Sequence, residues 1–119
     1  MKNMIENFGI GTDIVSIDIF RKIPYEQKTP LYTKIFRETE IAYCLKFKDP
    51  YPHFAGKFAV KESVKKSIKK NIAMLEIETS HSNSKPTVKL VESKEKYVFL
   101  VSLSHEKDYA VATVISEKI

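Results

Sequence analysis

The stretch Phe54-Ala-Gly-Lys-Phe-Ala-Val-Lys-Glu-Ser-Val-Lys-Lys66 decides how the rest of the chain is read. At 100° per residue it carries two apolar stripes, Val60-Val64-Ile68 spaced by four and Ala55-Phe58-Ala59 beside it. Extended to its polar flanks, the pattern predicts a helix over 53–70, opened by the break Asp49-Pro-Tyr-Pro52. A helix apolar on two sides must be covered on two sides, so this element belongs at the centre of the fold. Glu62 falls within the second stripe, with Lys66 one turn beyond. A carboxylate in apolar surroundings costs several kcal/mol unless it is paired or binds a cation. Two readings follow: an i,i+4 ion pair with Lys66 in the favourable Glu-before-Lys order, or a functional carboxylate.

Moving outward, Phe8-Gly-Ile-Gly-Thr-Asp-Ile-Val15 alternates in the manner of a first strand. Asp13 is out of place there, because aspartate is depleted from strands. The glycines before it allow another backbone or a ligand to come close. Asp13 is either a strand-end cap for the turn at Ser16 or one of two carboxylates, with Glu62, that hold a hard cation. Ser16 to Ile23 predicts a short helical turn ended by Pro24, Tyr25 to Pro30 a loop, and Arg37 to Lys48 a helix. After Asn71 the period changes to that of strands: 73–78, a polar turn over 80–86, then 87–91, 97–104 and 109–115. The link His105-Glu-Lys-Asp108 is too short for a crossover, so the last two strands are antiparallel neighbours. The expected architecture is α+β, an antiparallel β-sheet ending in a meander with helices packed on one face.

Composition narrows the partners. With 119 residues, 43% hydrophobic and 29% charged, and no repeat or low-complexity tract, the chain is expected to form one domain over 1–119. No window approaches the roughly 20 apolar residues of a membrane span, and Met1 to Asn7 lacks the apolar centre of a secretory signal. One cysteine, Cys44, excludes an internal disulfide and any multi-thiolate metal site, suits a reducing compartment, and points to the cytoplasm. Its place in a helical pattern reads as a packed side chain. The net charge of +5 rests almost entirely on lysine, with Arg21 and Arg37 the arginines. Lysine suits phosphate but is poor at bidentate base reading. A phosphate-bearing small molecule or an acidic protein therefore fits better than nucleic acid. Lys57, Lys61, Lys65 and Lys69, spaced by four, read as a solvated face or as a phosphate-binding edge. His105, where a strand meets its turn, reads as a strand-end cap or a phosphate contact, while His53 and His81 have no special claim.

Three blocks jointly resemble the holo-acyl-carrier-protein synthases, the small phosphopantetheinyl transferases: Gly9 to Val15, Phe54 to Lys66, and Val101 to Ile115. Phe36 to Cys44 and Lys85-Pro86 match more weakly. The resemblance implies transfer of 4′-phosphopantetheine from coenzyme A to a serine of apo acyl carrier protein, releasing adenosine 3′,5′-bisphosphate, in the service of fatty acid biosynthesis. It implies Asp13 and Glu62 as Mg²⁺ ligands, with Glu62 or a metal-bound water taking the serine proton. Lys66 would meet a phosphate, and Lys57 and His105 would lie near coenzyme A phosphates. It also implies a homotrimer with sites between subunits and an acidic carrier steered by the lysine-rich surface. The sequence departs from the family at Ser16 and Ile19, where a glutamate and a carrier-docking arginine are usual; Arg21 is the candidate replacement. Arg37 stands where a capping threonine is usual, and Ser84 where a glycine is. These departures leave an alternative: a trimer that binds coenzyme A or a carrier protein with little transfer.

Overall fold

A computed structural model describes residues 6–68 and 70–119. In chain order the elements are β1 (Phe8–Ser16), α1 (Ile17–Arg21), α2 (Thr29–Ile35), α3 (Glu38–Leu45), α4 (Tyr51–Ile68), a 3₁₀ turn (Met74–Glu76), β2 (Ile77–Ser82), β3 (Lys85–Leu90), β4 (Tyr97–His105) and β5 (Tyr109–Lys118). β5 lies at the centre of a three-stranded antiparallel sheet ordered β1-β5-β4, and β2 and β3 form a separate antiparallel hairpin. This is the expected α+β architecture. The expected meander is instead two hairpins in two sheets, with β1 paired to β5 from Phe8 opposite Glu117 to Ser16 opposite Tyr109.

α4 packs on one face of the large sheet, and small residues make the approach possible. Gly9 and Gly11 face the helix; a Cβ on Gly9 would collide with the carbonyl of Ser67, and one on Gly11 with that of Ser63. Across the ladder, Ala110, Ala112 and Val114 are fully buried. Ser63 Oγ donates to the Ala112 carbonyl and Ser116 Oγ to the Ser67 carbonyl, both at 3.2 Å. Backbone polar groups are thus satisfied across an interface too tight for large side chains. On the other flank of α4 lies an aromatic core: the Phe54 ring is 4.8 Å from Tyr32 and 5.1 Å from Phe36.

Several boundaries differ from expectation for local reasons. α4 starts at Tyr51 rather than 53, with Pro52 in the first turn, where its missing N–H costs nothing. α2 continues the region read as loop, again with a proline, Pro30, at its start. The segment expected as a strand from Ala73 is a 3₁₀ turn up to Glu76. There the Met74 carbonyl accepts from Lys61 Nζ at 3.1 Å and the Leu75 carbonyl from Arg37 at 2.6 Å, so neither serves a strand ladder. The expected polar turn over 80–86 is mostly strand. Only Asn83 and Ser84 turn the chain, both at positive φ (52° and 67°), the backbone of a two-residue hairpin loop.

Candidate active site

β1 alternates, so Gly9, Gly11 and Asp13 share the face toward α4 while Phe8, Ile10, Thr12 and Ile14 point away. The glycines bring the last turns of α4 onto the strand, and Asp13 follows them at the strand's edge. Lys66 Nζ donates to the Thr12 carbonyl at 2.8 Å and to Asp13 Oδ1 at 3.2 Å. The i,i+4 ion pair that was one reading of Glu62 is not formed: Lys66 pairs with Asp13 across the fold. Glu62 lies one turn before Lys66, is half-buried, and has no ion-pair partner within 4.0 Å among the described residues. An ammonium has three protons; two are used here, which leaves one for an anionic oxygen.

Lys57 lies elsewhere. It stands nine positions before Lys66, which at 3.6 residues per turn places the two about 180° apart around α4. The contacts agree: Lys66 reaches β1, whereas Lys57 Nζ donates to Thr79 Oγ1 on β2 at 3.0 Å and sits 4.7 Å from the centre of the Tyr43 ring on α3. Lys57 is 4% exposed, and burial holds its ammonium pKa below the usual lysine range, with Cys44 and Glu40 opposing the shift. It lines a cavity of about 490 Å³ with Tyr43, Lys46, Thr79, Ser80 and His81 among its walls. Lys46, Lys57 and His81 converge there beside the carboxylate of Glu78, so the walls carry both signs of charge, and burial, then Lys57, holds the His81 pKa below the ordinary histidine value.

His105, at the end of β4, closes over the start of α4, with Nε2 3.0 Å from the Pro52 carbonyl. A Cβ on Gly56 would lie 2.9 Å from that nitrogen, so the glycine gives the imidazole its seat. The His53 ring is 6.1 Å away and stacks on Phe47 at 3.6 Å. Burial first, then the neighbouring His105 and His81, holds the His53 pKa below the ordinary histidine value.

The lysine series spaced by four is not a solvated face. Lys57 and Lys61 are buried, Lys65 is half-buried, and Lys69 lies outside the described residues. Lys61 is fully enclosed and spends its ammonium on Glu40 Oε1 at 2.6 Å and on the carbonyls of Ile35 and Met74 at 2.9 and 3.1 Å. Glu40 in turn accepts from the Arg37 N–H, the Thr79 N–H and the Thr79 hydroxyl. These buried charges survive because they satisfy one another. Sequence reading missed Tyr43, Lys46, Thr79 and His81 as cavity residues. Glu40 was visible only as a glutamate three places after Arg37, the spacing of a helix-start cap.

Cys44 is enclosed, and burial pushes its thiol pKa up to about 12, so it is a packed side chain and not a nucleophile. Arg21 is committed within the chain, to Asp49 at 2.6 Å and Asp18 at 3.3 Å. No helix among the described residues is long and apolar enough to cross a membrane.

Comparison with known proteins places this geometry in a lineage. The model of the 4′-phosphopantetheinyl transferase superfamily matches residues 9–114. The holo-[acyl-carrier-protein] synthase of Chlamydia muridarum is 40% identical over 118 residues, covering 92% of this chain and 94% of its own. That of Thermodesulfovibrio yellowstonii is 40% identical over 115 residues, covering 94% and 98%. The crystal structure of the Helicobacter pylori holo-[acyl-carrier-protein] synthase in complex with coenzyme A superposes with a TM-score of 0.79 at 30% identity, over 91% of this chain and 99% of that one. With the sequence blocks, the sheet order and the relatives in agreement, this chain belongs to the 4′-phosphopantetheinyl transferase superfamily.

Proposed function

We propose that this chain, as one domain over 1–119, transfers 4′-phosphopantetheine from coenzyme A to a serine of an apo acyl carrier protein and releases adenosine 3′,5′-bisphosphate. The observation that carries the reading is the junction of β1 and α4: Asp13 and Lys66 in contact where two glycines draw the helix in, and Glu62 one turn away on the helix. The oxygen-only donor pair Asp13 and Glu62 fits Mg²⁺, which takes one or two carboxylates and completes its shell with water and phosphate. When bound, that ion neutralises pyrophosphate charge. The chain's own groups do the rest. The remaining proton of Lys66 holds a phosphate oxygen, and Glu62 receives the proton of the serine as its oxygen bonds to phosphorus and the bond to the adenosine bisphosphate oxygen breaks.

Lys57 and His105 bind coenzyme A phosphates away from the reacting bond. Because Lys57 and Lys66 sit on opposite flanks of α4, one protomer does not present both to one ligand, which supports a site shared between subunits. The occupant of the exposed sheet face is then a second copy of this chain. Ile10, Ile14 and Leu100 are 67%, 62% and 71% exposed there, an apolar surface of the kind that subunit contacts bury. A homotrimer in the cytoplasm fits these features and the single buried thiol. The second reading, a trimer that binds coenzyme A or a carrier without efficient transfer, is favoured by the commitment of Arg21 to Asp18 and Asp49. Incubation with coenzyme A, Mg²⁺ and apo acyl carrier protein, followed by mass spectrometry of the carrier, separates the two. Gain of one phosphopantetheine arm supports transfer; an unmodified carrier at full coenzyme A occupancy refutes it.

A further inference from the structure

Thr79 is assigned no role by its sequence, yet it stands between the two buried lysines. Its hydroxyl has one proton and two lone pairs. The proton goes to Glu40 Oε2 at 2.6 Å. Among the described residues Glu40 has only donors around it: Lys61 Nζ and the Arg37 N–H on Oε1, the Thr79 N–H and hydroxyl on Oε2. Surrounded in this way, the carboxylate acts as acceptor alone. The Thr79 hydroxyl is therefore oriented with a lone pair toward its other neighbour, Lys57 Nζ, at 3.0 Å. The second contact of Lys57, to the Thr79 carbonyl at 3.5 Å, is at the limit of a hydrogen bond and directs little. Lys57 is thus aimed at the cavity by one hydroxyl, and that hydroxyl by one carboxylate.

We infer that Thr79, oriented by Glu40, is a positioning residue for the coenzyme A-binding lysine Lys57, setting affinity for coenzyme A and not the rate of transfer. The inference rests on the reading of Lys57 as a coenzyme A contact. A flexible lysine held in one direction before binding loses less entropy when the ligand arrives. The contact lies away from the reacting phosphorus, so it acts equally in ground and transition states and moves KM, leaving kcat in place.

The test uses Thr79→Val, which keeps the shape, the backbone bond to Glu40 and the other partners of Glu40 while removing the hydroxyl. Thr79→Ser, which restores it, and Lys57→Met complete the set. KM for coenzyme A, kcat, coenzyme A affinity by calorimetry and Tm are measured for each. Expected are an approximately tenfold rise in KM and Kd for Thr79→Val with kcat within about twofold, near-normal values for Thr79→Ser, and a loss at least as large for Lys57→Met. A normal Kd in Thr79→Val beside a weakened Lys57→Met overturns the positioning role and leaves the reading of Lys57 standing. A normal Kd in Lys57→Met overturns that reading and the inference with it. A lowered Tm and kcat in Thr79→Val at unchanged KM shows a purely structural residue, which also overturns the inference.

Discussion

Replacing Lys61 by methionine should cost this protein about 3 kcal/mol. Both Lys61 and Glu40 are enclosed, their side chains 0% exposed, at 2.6 Å. Methionine occupies much the same volume without the charge. The change leaves Glu40 as a buried anion without a counter-charge and the carbonyls of Ile35 and Met74 without their donor. Removing one partner of a buried ion pair usually costs about 3–5 kcal/mol. The lower end applies because Glu40 keeps three donors, from Arg37 and Thr79. A chain of this length is stable by roughly 6–18 kcal/mol, so the variant should fold with a clearly reduced urea midpoint and an unchanged m-value. Lys66→Met is the control: its side chain is 53% exposed, and an exposed pair is worth under about 1 kcal/mol. Urea denaturation followed by circular dichroism reads both. A Lys61→Met loss no larger than that of Lys66→Met would refute the reasoning, since burial would then make no difference to the worth of the charge.

Asp13→Asn and Glu62→Gln alter charge more than shape, and each should abolish transfer to the carrier while leaving Tm within a few degrees; full turnover in either variant removes its proposed role. Leu100→Lys, on the exposed sheet face, should convert the assembly to monomers by light scattering and remove activity with them, whereas an intact oligomer assigns that face to something else. Ser84→Gly should raise stability by about 1 kcal/mol, because Ser84 holds φ at 67°, a region that costs residues with a Cβ about that much. The lowered His53 pKa gives a signed dependence on pH. Below its unfolded value of about 6.5 the unfolded chain binds the proton first. The stability contributed by neutral His53 is therefore present above about pH 6.5 and is lost as pH falls toward its folded value. His53→Gln should flatten the slope of Tm between pH 7 and 5; an unchanged slope rules out His53 as its source.

What the sequence disclosed follows from which forces are local. β1, α4 and the β4–β5 hairpin were legible because alternation and the 3.6 period are properties of neighbours along the chain, and Asp13 and Glu62 stood out as charges breaking those patterns. The burial of the lysines at 57 and 61 was not legible because periodicity treats lysine as solvent-facing. What buries them is Glu40 and Thr79, residues from α3 and β2 that no local pattern connects to α4. α2 was missed although Pro30 marked its first turn, since its seven residues show too short a period. The ends of β2 and β3 nearest their turn read as part of a polar turn between two shorter strands, because the hairpin's tip, Ser80 to Lys85, is exposed and offers no apolar face to alternate against. The cavity beside Lys57 could not be foreseen, because its walls come from α3, α4 and β2 together.

The opposed directions of Lys57 and Lys66 make α4 a partition wall. On the composite reading each chain is half of two different sites, offering its grip on the ligand's far end to one neighbour and its reacting carboxylates to the other. Affinity and chemistry are then housed in separate rooms, so evolution can retune how the thiol-bearing cofactor is held without disturbing the face where the bond is broken.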